Sequence, residues 1–238
     1  MRSVSDNRAP STSMGHEVLA VVLQVRGGEL CALLWQRARP PYDGYWSLPG
    51  GALGPAEDLG TSIRRQLAQK VDVRELAHLE QLDTRSAPDR YPGRRVIATA
   101  YLGLVPSNLD PEVPADTRWH PVGALPPTAF DHGDLVATGR RRLRSKLSYT
   151  NIGFALAPPT FTISELSALY RAALGYEVAP TNLHRVLVRR GQIEPSGEAS
   201  RPGRGGGRPA ALFRFRAAHL EITDAFAVLR PPPVHGGP

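Results

Sequence analysis

Between residues 15 and 157 the chain alternates apolar runs with short polar or Gly/Pro-rich breaks. HEVLAVVLQV and ELCALLWQRA, rich in Val, Leu and Ala, flank Arg26, Gly27 and Gly28, a pattern that predicts a hairpin of two largely buried strands. RPPYDGYWSLPGGALGP is dense in Pro and Gly and predicts an ordered loop rather than an element. A helix follows from about Ala56 to Val71, with Ile63, Leu67 and Val71 recurring four apart as its buried stripe. Val73 to Leu82 and Arg95 to Val105 predict strands joined by a polar connection from Asp83 to Arg94. Trp119 to Leu125 predicts a short strand with its turn. His132 to Leu147 predicts a helix with Leu135, Val136, Leu143 and Leu147 on one side.

After Ala157 the doublet Pro158 and Pro159 breaks the chain and the pattern changes. FTISELSALYRAALG offers Thr162 or Ser164 as a helix cap, an apolar side of Leu166, Leu169, Tyr170 and Leu174, and Gly175 as its stop. A second helix from about Pro180 to Arg190 comes within a few residues and ends at Gly191, as in a helix-turn-helix. QIEPSG, the Gly and Arg rich EASRPGRGGGRP and then AALFRFR predict a strand, a long turn and a strand, which after a helix-turn-helix is a wing.

Composition narrows the class. At 238 residues the chain is long enough for two domains. The expected layout is a disordered tail over 1–14, one domain over 15–150, a second over 151–225 and a tail over 226–238. The single Cys31 cannot form an internal disulfide, and no Cys/His pair has zinc-site spacing. No apolar run approaches the ~20 residues that span a bilayer, and the polar N-terminus lacks a signal pattern, so membrane and secreted classes drop out and the cytoplasm is expected. The net charge of +7 is unevenly placed: residues 140–238 hold 15 Arg or Lys against 6 Asp or Glu, a bias suited to a polyanion. Arg140, Arg141, Arg142, Arg144 and Lys146 also suit the negative end of the helix that carries them.

GGALGPAEDLGTSIRRQLAQKVDV resembles the Nudix box, with Gly51, Glu57, Arg65, Leu67 and Val73 at matching positions and YWSLPGG resembling the loop before its helix. The resemblance implies an α+β fold, an α/β/α sandwich around a mixed sheet. The three box glutamates that would bind metal are Gln66, Gln69 and Lys70 here, and the late glycine is Asp72. Offsets of three and four place positions 66, 69 and 70 on one helix face, where carboxylates could chelate Mg²⁺ and activate water. Two amides and an ammonium cannot. Glu57, expected in the first helical turn, has a sufficient role as a partner of the helix dipole. A hydrolase would need its ligands moved, for example to Asp83, Asp89 or Glu75. The expectation is therefore a catalytically silent, ligand-sensing domain without metal or cofactor. Lys70 is placed to neutralise a phosphate in the metal's stead. The resemblance points to Arg37, Arg39 and Trp46 as further ligand contacts, Trp46 being equally suited to core packing.

In PTNLHRVLVRRG, Leu183, Val186 and Leu187 form a buried side and leave Thr181, Asn182, His184, Arg185, Arg189 and Arg190 as a candidate recognition surface. Arg185 could read guanine and Asn182 adenine, while Arg189 and Arg190 would take phosphates. Arg201, Arg204 and Arg208 in the wing suit a minor groove or the sugar-phosphate rails. The whole arrangement, with the join FDHGDLVATGRRRLRSKLSYTNIGFALAPPTFTISEL and the ending GRPAALFRF, resembles the Nudix-related transcriptional regulators of NAD metabolism. That resemblance implies a homodimeric repressor of NAD synthesis or salvage genes. It would bind a palindromic operator in double-stranded DNA and be released by an NAD-related nucleotide such as ADP-ribose. The competing reading is a metal-dependent Nudix hydrolase of ADP-ribose or a related nucleotide.

Overall fold

The computed structural model describes residues 14–199 and 209–224. The expected tails therefore fall almost wholly outside the described residues, as do the wing arginines Arg201, Arg204 and Arg208.

Strands β1 (Gly15–Arg26) and β2 (Glu29–Gln36) form the expected hairpin, with Arg26 opposite Glu29. Its turn is Gly27–Gly28, at φ 57° and 83°, a backbone that only glycine adopts without cost. The Pro/Gly-rich loop is a correction: it contains two short strands, β3 (Trp46–Ser47) and β4 (Gly50–Ala52), pairing with β2 and β1 respectively. The next strand, β5, runs over His78–Arg85 rather than Val73–Leu82, so the polar connection starts later than expected. β6 (Val96–Leu104) and β7 (Thr117–Pro121) follow. The sheet is mixed: its spine is β3-β2-β1-β6-β5, with β1 parallel to β6 and antiparallel to β2, and β5 antiparallel to β6.

Alternation along β1 divides the apolar material between two faces. Val18, Ala20 and Val22 pack with Ile63, Leu67 and Val71 of α1 (Leu59–Lys70) and its C-cap. Leu19, Val21 and Leu23 pack with Leu135, Val136 and Leu143 of α2 (His132–Tyr149). The result is the expected α/β/α sandwich. Asp58 caps α1 by accepting from the Thr61 N–H at 2.6 Å.

A 3-10 turn over Ile152–Ala155 leads into α3 (Ile163–Leu174), which opens with a reciprocal Thr162–Glu165 capping box and stops at Gly175 in the left-handed region (φ 75°). α4 (Pro180–Arg189) begins on proline, and β8 (Ile193–Ala199) pairs with β9 (Ala211–Phe215), completing a winged helix-turn-helix. Phe161, Leu166, Leu169, Tyr170, Leu183 and Leu187 belong to the same apolar cluster as the α2 face of the sheet. The winged helix thus shares the core of the sandwich. No described helix is long and apolar enough to cross a membrane.

Candidate functional site

The polar face of α1 meets the carbonyl edge of β4. Lys70 is exposed, yet its Nζ turns back to donate to the Gly50 carbonyl and lies 5.4 Å from the centre of the Trp35 ring. Burial of the ammonium lowers its pKa, the neighbouring charges of Arg37 and Arg65 lower it further, and Glu17 opposes them. Buried Gln66 donates to the Ala52 carbonyl at 3.3 Å and packs its amide so closely on Gly51 that a β-carbon there would meet it at 2.6 Å. Gln69 accepts from Arg65 Nη1 at 3.2 Å.

Glu57 differs from expectation. It lies just before the N-cap Asp58 rather than within the first turn, and is held by the guanidinium of Arg65, with Nε–Oε1 at 2.5 Å and Nη2–Oε2 at 2.7 Å. These hydrogen bonds bring its pKa down to about 2, and it also accepts from the Gly54 N–H. Its partner is a side chain, not the helix dipole.

The loop after β2 and the turn before α2 bring aromatic rings together. Arg37 donates from Nε to the Pro41 carbonyl at 2.8 Å and lies 5.1 Å from the Phe130 ring and 5.9 Å from the Trp35 ring. Tyr42 stands edge-on to Phe130 at 4.8 Å and Tyr91 stacks on it at 4.9 Å. Tyr42 and Phe130 both hold positive φ, 64° and 52°, a backbone that bulky residues rarely adopt and that concentrates at functional sites. Trp46 is half-buried against the core, edge-on to His120 at 4.3 Å. Arg39 is exposed on the same loop.

Behind these rings Arg90, with a side chain only 2% exposed, pairs with Glu17 at 2.6 Å and Asp131 at 2.7 Å. The carboxylate of Asp131, at the N-cap of α2, makes no capping bond and instead ties that end of the helix to β1 through Arg90. The next residue, His132, accepts the Leu48 N–H at Nδ1 (3.0 Å), so Nε2 carries the proton. Sequence reasoning missed Tyr42, Tyr91, Phe130, Arg90 and Glu17. Only the aromatic residues in PPYDGYW, inside a loop too rich in Pro and Gly to need them for an element, were a local signal.

At the other end of the molecule Thr181, Asn182, Arg185 and Arg189 are exposed on α4, with Arg185 Nη2 donating to Asn182 Oδ1 at 2.9 Å. His184 is half-buried and edge-on to Phe213 of the wing at 5.1 Å. Arg190 donates to the Ser148 carbonyl at the end of α2 (2.7 Å), which turns it toward the sandwich.

Residues 15–138 match the NUDIX domain family, and residues 153–215 match the NrtR DNA-binding winged helix domain. The chain belongs to the Nudix family. The ADPR responsive transcriptional repressor NtrR of Acinetobacter baylyi is 29% identical over 201 residues, which cover 82% of this chain and 79% of that relative. The crystal structure of Shewanella oneidensis NrtR complexed with a 27mer DNA has a TM-score of 0.71 and 29% identity, covering 84% of this chain and 93% of that one. The NUDIX domain of the same NrtR complexed with ADP ribose has a TM-score of 0.51 and 30% identity, covering 58% and 94%. This Nudix member thus has the architecture of DNA-binding regulators.

The Nudix family also implies a divalent cation on the α1 face, and the groups here do not fit one. Amide N–H donors and an ammonium already take the β4 carbonyls, and Arg65 takes the carboxylate of Glu57. Magnesium prefers anionic oxygens, which this face does not offer it. Among the described residues no group of three His, Cys, Asp or Glu lies close enough to share an ion.

Proposed function

We propose that this protein is a homodimeric transcriptional repressor of genes for NAD synthesis or salvage, released from a palindromic operator when an NAD-related nucleotide such as ADP-ribose fills its Nudix site. The observation that carries the reading is one chain combining a Nudix helix whose metal-facing positions hold Gln66, Gln69 and Lys70 with a winged helix whose α4 exposes Thr181, Asn182, Arg185 and Arg189. The relatives support it: one is a repressor responsive to ADPR, one is bound to DNA, and one is a Nudix domain bound to ADP ribose.

Residues 15–150 then hold the ligand and residues 151–225 hold DNA, inside the cytoplasm. The site binds and does not cut, because nothing on α1 positions a metal-activated water. Arg37, Arg39 and Lys70 meet the phosphates, and Trp46 with the Tyr42–Phe130–Tyr91 group frames the rest of the ligand. On DNA, Arg185 and Asn182 face base edges with Thr181 and His184 beside them. Arg189, Arg190, Arg204 and Arg208 meet the backbone, Arg190 after leaving the Ser148 carbonyl.

Band-shift with palindromic NAD-gene promoter DNA tests this, with ADP-ribose and NAD titrated in. The expected result is an operator complex that ADP-ribose dissolves. Arg185→Ala should weaken operator binding by ~1 to 3 kcal/mol and random duplex far less, whereas Arg189→Ala weakens both alike. Mg²⁺- or Mn²⁺-dependent turnover of ADP-ribose by the unaltered protein would overturn the silent-sensor reading.

A further inference from the structure

A metal in a phosphate site links acceptors to acceptors: carboxylate and carbonyl oxygens on the protein side, phosphate oxygens on the ligand side. In this chain the protein side is closed by donors. Gln66 reaches the Ala52 carbonyl and Lys70 reaches the Gly50 carbonyl, so α1 grips the β4 edge directly. An ammonium has three N–H donors. One of Lys70's is on Gly50 and the Trp35 ring lies beneath the group, which leaves donor capacity for an arriving anion.

The surrounding charge points the same way. The field at Lys70 includes two further cations, Arg37 and Arg65, against the single carboxylate of Glu17. Arg65 is matched by Glu57 and Glu17 by the buried Arg90. Among the described residues neither Lys70 nor Arg37 is ion-paired with a carboxylate, and both bonds they make to neighbours are to carbonyls, Gly50 and Pro41. Positive charge concentrated beside aromatic rings, with no carboxylate among the described residues ion-paired to it, calls for an anionic ligand that also carries a flat ring.

We propose that the Lys70 ammonium is a resident cation that, with Arg37, receives the diphosphate of a nucleotide ligand, so that this site binds its effector without any divalent metal. The proposal rests on the ligand-sensing reading above and specifies the chemistry by which the site works. A guanidinium is planar and forked, whereas the compact ammonium occupies a point, as a metal ion does.

Calorimetric titration of the full-length protein with ADP-ribose, once in EDTA and once in Mg²⁺, tests the idea, alongside Lys70→Met and Lys70→Arg. The unaltered protein should bind with the same affinity in both buffers, within about twofold. Lys70→Met keeps the stem over Trp35 but loses the charge, and should weaken binding roughly ten- to hundred-fold, the range expected for a hydrogen bond to a charged group. Lys70→Arg should recover part of that loss, and the melting temperatures of the ligand-free variants separate folding defects from binding defects. Binding by Lys70→Met as tight as that of the unaltered protein overturns the proposal. Loss of binding in EDTA alone overturns it while leaving the effector assignment standing. No binding of ADP-ribose in either buffer overturns the effector assignment, and the proposal with it.

Discussion

His132 is fully enclosed, 3% exposed, and is held neutral by the desolvation that charging it would entail, which pushes its pKa down to about 3. Because the unfolded chain takes up the proton near the ordinary 6.5, its contribution to stability is complete above that pH and is lost as pH falls from 6.5 toward 3. By pH 4.5 the loss should amount to about 2 to 3 kcal/mol. His132→Asn keeps an acceptor for the Leu48 N–H without the titration, so urea unfolding at pH 7 and pH 4.5 should show a flatter pH response in the variant. An unchanged difference would remove His132 as the source. Glu57 and Glu80, both held at about 2, lose their share of stability as pH falls from the ordinary 4.5 toward 2, so most of it is still present at pH 4.5. At this scale the sequence displayed what the box contains: the resemblance to the Nudix box named Gln66, Gln69 and Lys70, and their spacing put them on one helix face. It did not display Arg90 between Glu17 and Asp131, because those partners lie 73 and 41 residues away and no local pattern records such a meeting.

Among the elements, long periodic ones were legible and short ones were not. α1 and α3 carry stripes four apart with caps at their ends, so their positions follow from the side chains they bury. β3 and β4, of two and three residues, are too short to show alternation, and Pro/Gly-rich surroundings hide them. β5 was misplaced for another reason: it pairs only with β6, buries Leu82 alone and shifts register between Gln81 and Asp83, so its pattern is weak. The element with the most consequence is α2. Its first residues adjoin the proposed ligand site through Phe130 and Asp131, and its last turns hold the winged helix. Arg144 donates through Nε (2.6 Å) and Nη2 to the Leu174 carbonyl at the end of α3, and Arg190 reaches back to Ser148. Arginines that the sequence alone assigns to a helix dipole are thus fasteners between α2 and its neighbours, with Lys146 and Arg142 pairing Glu80 on β5. Arg144→Ala should cost about 1.5 to 3 kcal/mol in chemical denaturation, since it removes charged donors from a helix-end carbonyl. In a band-shift it should also make DNA release less responsive to ADP-ribose while calorimetric ADP-ribose affinity stays the same. Unaltered release would show that α2 does not transmit.

For the whole molecule, the shared core restricts how a ligand signal can travel. Phe161, Leu166, Tyr170 and Leu183 are buried in one apolar cluster with Leu19, Val21 and Leu102 of the sheet, and Gln192 adds bonds to Thr150 and Thr223. Rotating the winged helix against the sandwich would part α3 from β1, β2 and α2, at ~1.5 to 3 kcal/mol for each large apolar side chain exposed. Ligand coupling usually amounts to ~1 to 3 kcal/mol, too little to open such an interface. Release should therefore come from a change between the two protomers of the proposed dimer, each moving as a body, since recognition helices must stay about 34 Å apart to enter successive major grooves. Native Cys31 is buried, so an introduced exposed cysteine can be labelled selectively. A spin label placed by Glu177→Cys reports the distance between protomers. Combined with Asp43→Cys in one chain of a mixed dimer, it reports the distance within a protomer. Adding ADP-ribose should shift the first distance by several ångströms and leave the second in place. The opposite pattern would mean that the shared core yields and that the signal bends each chain internally.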